Sequence, residues 1–276
     1  MTHMTTDTNT DIAKGQLLAI RVGRGSLSFA AMRTEGGESR VTYEPYTVRS
    51  GVSLAANLRE AFRTAELPAA SFRRVLVFVD APVLMVPVDL YNESDAPALY
   101  AHAFPHSGGA VTVADVLPDL NAVAVFGVNK DLKLVIDDRF ADAKFGTAIG
   151  PVWRYLYKRS FSGSRGKLYG YFHDRKLELF RFGKNRFKFC NSFEVDNAHD
   201  AAYFILCVWK QLGMDNDGDE LYLVGDIPEK EWLLDEAKSY LRRVYVVNPA
   251  GDFNRAAVTQ IKGMPYDLMT FFVKGR

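Results

Sequence analysis

The residues of this chain whose types and spacing could do chemistry come together first in the run Ile20-Arg21-Val22-Gly23-Arg24-Gly25-Ser26. Backbone amides at Gly23 and Gly25 can face an anion, and Arg21 or Arg24 can supply charge directly, so the run could cradle a phosphate. A tight strand-to-strand turn needs the same glycines, and both readings stand. Other patterns are weaker. Residues 163–167 (GSRGK) have the letters of a phosphate loop but the wrong spacing, no Ser or Thr after the lysine, and a strand behind them instead of in front. Asp215, Asp217 and Asp219 around Gly218 lack the glutamate that closes a calcium loop, and a helix-to-strand turn explains them better. His102 and His106 have metal-like spacing that Pro105 spoils. With no Ser/His/Asp or Cys/His arrangement either, no catalytic residue, no metal and no cofactor is expected.

The 276 residues are 48% hydrophobic and 24% charged, an ordinary globular composition. A net charge of +1 gives no overall pull toward nucleic acid or anionic lipid. No apolar run approaches the roughly 20 residues that span a bilayer, so no membrane insertion is expected. The polar start, residues 1–12, reads as disordered and carries no signal pattern, which points to the cytoplasm. Cys190 and Cys207 have no metal-ligand spacing and fit a reducing compartment. Arg175, Lys176, Arg181, Lys184, Arg186 and Lys188 interleave with Phe180, Phe182, Phe187 and Phe189. Such a pattern suits stacked nucleic acid, yet half-buried strands alternate in this way unaided, so nucleic acid is not the expected partner.

The elements that must position these residues fall into two similar series. Residues 18–32 (LAIRVGRGSLSFAAM) and 168–182 (LYGYFHDRKLELFRF) each read as a strand, a polar turn and a returning alternating strand. Residues 77–82 (VFVDAP) and 223–228 (LVGDIP) are buried-strand runs ending in Asp-x-Pro, each preceded by an amphipathic helix. In the first series the spacing predicts strands over 16–24, 26–33 and 40–48, with Gly36-Gly37 turning the last two. A helix capped by Ser53 and a strand over 75–79 follow. Residues 83–118 show no clear period beyond a helix around 96–104. Then come a strand over 122–128, a helix over 130–140, a strand over 144–149 and a connecting helix over 153–158. Small flexible residues at 160–167 suggest a boundary between lobes at 13–159 and 160–276. The second series has strands over 168–173, 176–182 and 186–195, a helix carrying Ala202, Ile205 and Trp209, and a strand over 221–224. A helix after Pro228 and a strand over 244–247 complete it.

This order of meander, helix, strand, helix and strand resembles a ribonuclease-H-like domain. Its tandem resembles the actin-like ATPase fold of actin, sugar kinases and chaperone ATPases. With the stretch MPYDLMTFF (264–272), the chain is similar to a family of uncharacterised bacterial proteins that have this fold and no established activity. The resemblance implies an α/β protein with two lobes, each a mixed sheet (βββαβαβ) flanked by helices. In active members, the turn after the first strand of each lobe carries Asp-x-Gly-Ser/Thr, whose amides hold phosphates and whose Asp organises Mg²⁺. Here Gly23 matches, but Arg21 stands where the Asp would be, and Tyr171-Phe172-His173 occupies the second equivalent place. Gly225-Asp226 replaces the adenosine-binding Gly-Gly. Two unit charges about 4 Å apart interact by roughly 4 kcal/mol at an effective dielectric near 20, so Arg21 turns attraction for Mg²⁺ into repulsion. The resemblance therefore places a degenerate cleft at Arg21, Gly23, Arg24, Gly25, Gly225 and Asp226. A catalytically inactive interaction or scaffold module with a protein partner is the leading expectation. An atypical nucleotide-binding protein or kinase, whose phosphates Arg21, Arg24 and the glycine amides would hold, is the alternative. A nucleic-acid module comes third, and self-association stays open.

Overall fold

The computed structural model describes residues 16–35, 38–106, 108–184 and 186–273. The polar start and the Gly36-Gly37 turn lie outside the described residues. β1 (Leu17–Val22) is buried at every position, as a strand covered on both faces requires. It pairs antiparallel with β2 (Leu27–Glu35), which pairs in turn with β3 (Glu38–Tyr46). Helix α1 (Leu54–Thr64) starts at Ser53, whose side chain accepts from the Ala56 N–H. Asn57, buried within α1, donates to the carbonyls of Arg49, Val52 and Ser53 and so ties the preceding turn to the helix. β4 (Arg74–Val79) then returns parallel to β1.

Residues after β4 depart from the expected order. β5 (Val83–Pro87), α2 (Ala96–Ala103), β6 (Ala110–Leu117) and β7 (Ala122–Asn129) form an inserted unit whose antiparallel sheet runs β5-β7-β6. The strand expected over 122–128 belongs to this separate sheet, and β5 and β6 lie within 83–118, where the sequence shows no clear period. β6 is half-buried at nearly every position, and Asp115 interrupts the apolar face of Val111, Val113 and Leu117 in the sequence. α3 (Lys130–Arg139), capped by Asn129, leads back to β8 (Lys144–Thr147), which completes the first sheet in the order β3-β2-β1-β4-β8.

After α4 (Gly150–Ser160) the second series follows as β9 (Lys167–His173), β10 (Lys176–Gly183), β11 (Arg186–Glu194), α5 (Ala198–Gln211), β12 (Glu220–Gly225), α6 (Lys230–Tyr240) and β13 (Val244–Val246). Its sheet runs β11-β10-β9-β12-β13, with the first pairs antiparallel and the last parallel, matching the first sheet strand for strand. Both sheets are mixed and flanked by helices, so the class is α/β.

Two features join the halves. Trp153, Leu156 and Tyr157 of α4 share a core with Tyr169, Tyr171 and Phe180 of the second sheet. Beyond the short α7 (Pro249–Asp252), the segment leading into α8 (Tyr266–Val273) crosses back, and Met264, Leu268 and Phe272 pack on Leu17, Ala19 and Phe78 of the first sheet. Phe78 and Phe271 meet edge to face at 4.9 Å.

Candidate functional site: a charge network between the sheets

Strand alternation puts Leu17, Ala19 and Arg21 on the face of β1 that α8 covers. Arg21 therefore points into the molecule, with only 4% of its surface exposed. Three groups receive its guanidinium. Nε donates to Asp267 Oδ2 at 2.8 Å, Nη2 to Asp174 Oδ2 at 2.7 Å and Nη1 to Ser26 Oγ at 3.2 Å. Burial alone would lower the Arg21 pKa, but Asp267, with Tyr171 and Asp174, outweighs that and holds the group charged.

Local structure aims each partner. Asp174 and Arg175, with φ of 45° and 61°, are the central residues of the two-residue β9–β10 hairpin, a turn that needs positive φ at both places. The hairpin brings Asp174 against the β1–β2 turn, where Ser26 Oγ donates to its Oδ1 at 3.1 Å. Burial would raise the Asp174 pKa, but His173 and Arg21 hold its carboxyl well below the usual range. Asp267 lies in the first turn of α8 and also accepts from the Tyr171 hydroxyl at 3.1 Å. Burial, with Asp267 beside it, pushes the Tyr171 phenol well above its usual range and keeps it a neutral donor. Arg21 and Tyr171, equivalent positions of the two series, thus converge on one carboxylate.

Gly23 makes this arrangement possible. A Cβ there would lie 2.1 Å from Ser26 Oγ, 2.9 Å from Arg21 Nη1 and 3.0 Å from Asp174 Oδ2, so the ion pair fills the space beside it. Gly25 faces open space. Arg24 is exposed and pairs with Glu194 at 2.6 Å, a second link across the halves. Lys176 Nζ meets Asp80 Oδ1 at 2.8 Å in a third.

His173 stacks on Tyr171 with ring centroids 4.6 Å apart. Its Nδ1 lies 3.3 Å from Asp174 Oδ2 and its Nε2 3.6 Å from Glu178 Oε1. Burial would lower its pKa, but the hydrogen bond to Asp174 and the nearby charges of Glu178 and Asp80 push it from 6.5 up to about 9. A raised folded-state pKa gives stability that is fully present below pH 6.5 and is lost as pH rises through about 9. Urea unfolding across that window is expected to show a loss on the order of 3 kcal/mol that His173→Gln largely removes.

Asp80, His173 and Asp174 place three potential metal-ligand atoms within 4.8 Å of one another. Lys176 already holds Asp80, Arg21 holds Asp174, and below about pH 9 a proton holds His173. A cation would have to displace all three. The acids at 215–219 serve the turn: Asp219 accepts from the Gly166 and Asp215 N–H groups, and Asp215 from the Asp217 N–H.

The network closes one end of a cleft of about 850 Å³ between the sheets. Gly225 and Asp226 line the same cleft, with Lys230 and Asn248. The structure thus brings Arg21, Gly225 and Asp226 to one cleft, with Gly23 packed behind the ion pair and Arg24 turned to the surface. Sequence reasoning missed Asp174, Asp267 and His173 as partners of Arg21. One signal was present: Asp267 is the single charge in the apolar run 264–272, and a carboxylate there needs a buried cation.

Residues 5–244 match the family model described as protein of unknown function (DUF3822). The chain is similar to a Bacteroides thetaiotaomicron protein with actin-like ATPase fold and unknown function, at 26% identity and a TM-score of 0.80, over 94% of this chain and 100% of that one. It also shares its fold with a structure of the PilM-PilN type IV pilus biogenesis complex, at 11% identity and a TM-score of 0.61, over 93% of this chain and 96% of that one. No curated protein matches. Among the described residues, no helix is long and apolar enough to cross a membrane.

Proposed function

The chain belongs to the DUF3822 family of proteins of unknown function, and on that premise we propose that it is a catalytically degenerate actin-like protein working as a protein-interaction module. The observation that carries this is the pairing of Arg21 with Asp174 and Asp267. Where the fold's active members are expected to keep a carboxylate for Mg²⁺, this chain has a cation that cannot shed its charge. The nearby carboxylates already have cationic partners, so they offer little to a nucleotide-bound metal. The alternative reading, with Arg21 and Arg24 holding phosphates directly, asks both arginines to leave carboxylates they already hold. The PilM-PilN complex shows the same fold joined to a partner protein, which supports an interaction role here without naming the partner. The free Cys190 and Cys207 suit a cytoplasmic setting.

Calorimetry with ATP and with ADP, each with and without Mg²⁺, tests the loss of the nucleotide site. No heat of binding is expected up to millimolar nucleotide. Saturable heat in the micromolar range would overturn the proposal and favour the metal-independent nucleotide site.

A further inference from the structure

α8 covers only part of its face of the first sheet. Beside it lies a groove of about 1090 Å³, separate from the cleft between the sheets, floored by the half-buried Met32 and Leu76 and lined also by Leu17 and Phe78, on which α8 packs. Phe272 of α8 forms one wall, and residues 113–116 of β6 form the other. β6 and β8 are the outer strands of their sheets, and both line the groove. An outer strand presents unpaired main-chain groups to whatever lies beside it.

The rim is basic. Arg73, Arg74 and Lys144 line the groove, are exposed, and form no ion pair among the described residues. Asp115 is the acidic residue of the lining, and it is already engaged by Arg154 at 3.8 Å and by the Thr147 backbone N–H. The groove thus offers an apolar floor, uncompensated positive charge and two outer strands, on which the Val116 carbonyl already accepts from Arg154 Nη2 at 3.0 Å and the Thr147 N–H is held by Asp115.

We infer that this groove docks an extended peptide segment of a partner protein, with alternating apolar and acidic side chains. The inference rests on the interaction-module reading and gives it a surface. Period-two alternation lets one row of side chains enter the floor while the other row turns its carboxylates to the arginines, and the peptide backbone can extend a sheet edge. Nucleic acid fits less well. Of the rings in the lining, Phe78 and Phe272 are each 8% exposed, half-buried Phe271 packs edge to face on both, and Lys133 Nζ sits over the ring of half-buried Phe145, which leaves little open face on which a base could stack.

A display library of random short peptides, selected on the whole protein, tests this. Enriched peptides are then measured by fluorescence anisotropy on the protein and on the double variant Arg73→Glu with Arg74→Glu, whose exposed positions should leave the fold intact by circular dichroism. The expected result is enrichment of peptides alternating Val, Ile or Leu with Asp or Glu. Their binding should weaken about tenfold in the double variant and fall with added salt. Enriched peptides lacking acids, or insensitive to the variant, would overturn the groove while leaving the interaction module standing. No enrichment would overturn the groove too, and nucleotide calorimetry would then decide the wider reading. Tighter binding of single-stranded oligo-dT, lost in the same variant, would overturn it in favour of nucleic acid.

Discussion

Arg21→Ala is expected to lower the free energy of unfolding in urea by about 3–5 kcal/mol, a large part of the stability of most domains. The cost comes mainly from what the substitution leaves behind. Asp267 and Asp174 lose the guanidinium that neutralises them, and Asp267 Oδ1 has no hydrogen-bond partner among the described residues even with Arg21 present. Removing a carboxylate at the same time should therefore recover stability. The double variant Arg21→Met with Asp267→Leu is expected to be more stable than the sum of its single changes by 1 kcal/mol or more, roughly the coupling found for contacting charged pairs. A loss under about 1 kcal/mol for Arg21→Ala would mean that water reaches the two carboxylates. The network would then be a surface feature, and the argument for a blocked metal position would fall with it.

A second large effect is expected at Gly225. Its φ of 95° is strained for any residue with a Cβ, and an added Cβ would lie 2.1 Å from the Phe172 carbonyl oxygen. That carbonyl also accepts from the Asp226 N–H at 3.0 Å, which anchors the end of β12 to β9 beneath the cleft. Gly225→Ala must either break this bond or separate the strands, at about 3 kcal/mol or more from strain and overlap together. Gly25→Ala is the control. With open space and no positive φ it should stay within about 0.5 kcal/mol of the parent protein by thermal or urea unfolding. Equal losses at both positions would mean that glycine matters in these turns through chain flexibility and not through contact.

The legibility of the sequence followed the range of the interactions involved. The hairpin of β1 and β2 and that of β9 and β10 were readable because a turn and two alternating runs are local patterns. The parallel returns of β4 and β12 were readable because both are short apolar runs closing on Asp-x-Pro. β5 and β6 were not, since VLMVP is a short run apolar throughout, with no period to mark it as strand, and Asp115 interrupts the alternation of β6. At the candidate site, Arg21 stood out by its type. Its partners lie 153 and 246 residues further on, and no spacing rule spans such distances. Gly23 has two readings in the sequence, an anion cradle and a tight turn. The structure adds a third, space for an ion pair between β1 and the β9–β10 hairpin.

The return of α8 to the first sheet also bears on how the chain comes to be folded. Arg21 belongs to the first described strand, and Asp267 to the last described helix. During synthesis β8, the last strand of the first sheet, is made before either Asp174 or Asp267, so a sheet folding at that stage would carry a cation whose acids are still to come. Neither half can be cut free at the 161–166 turn and keep its charges matched, because such a cut takes Arg21 from both of its acids. What the sheets present as two modules is, in its electrostatics, indivisible.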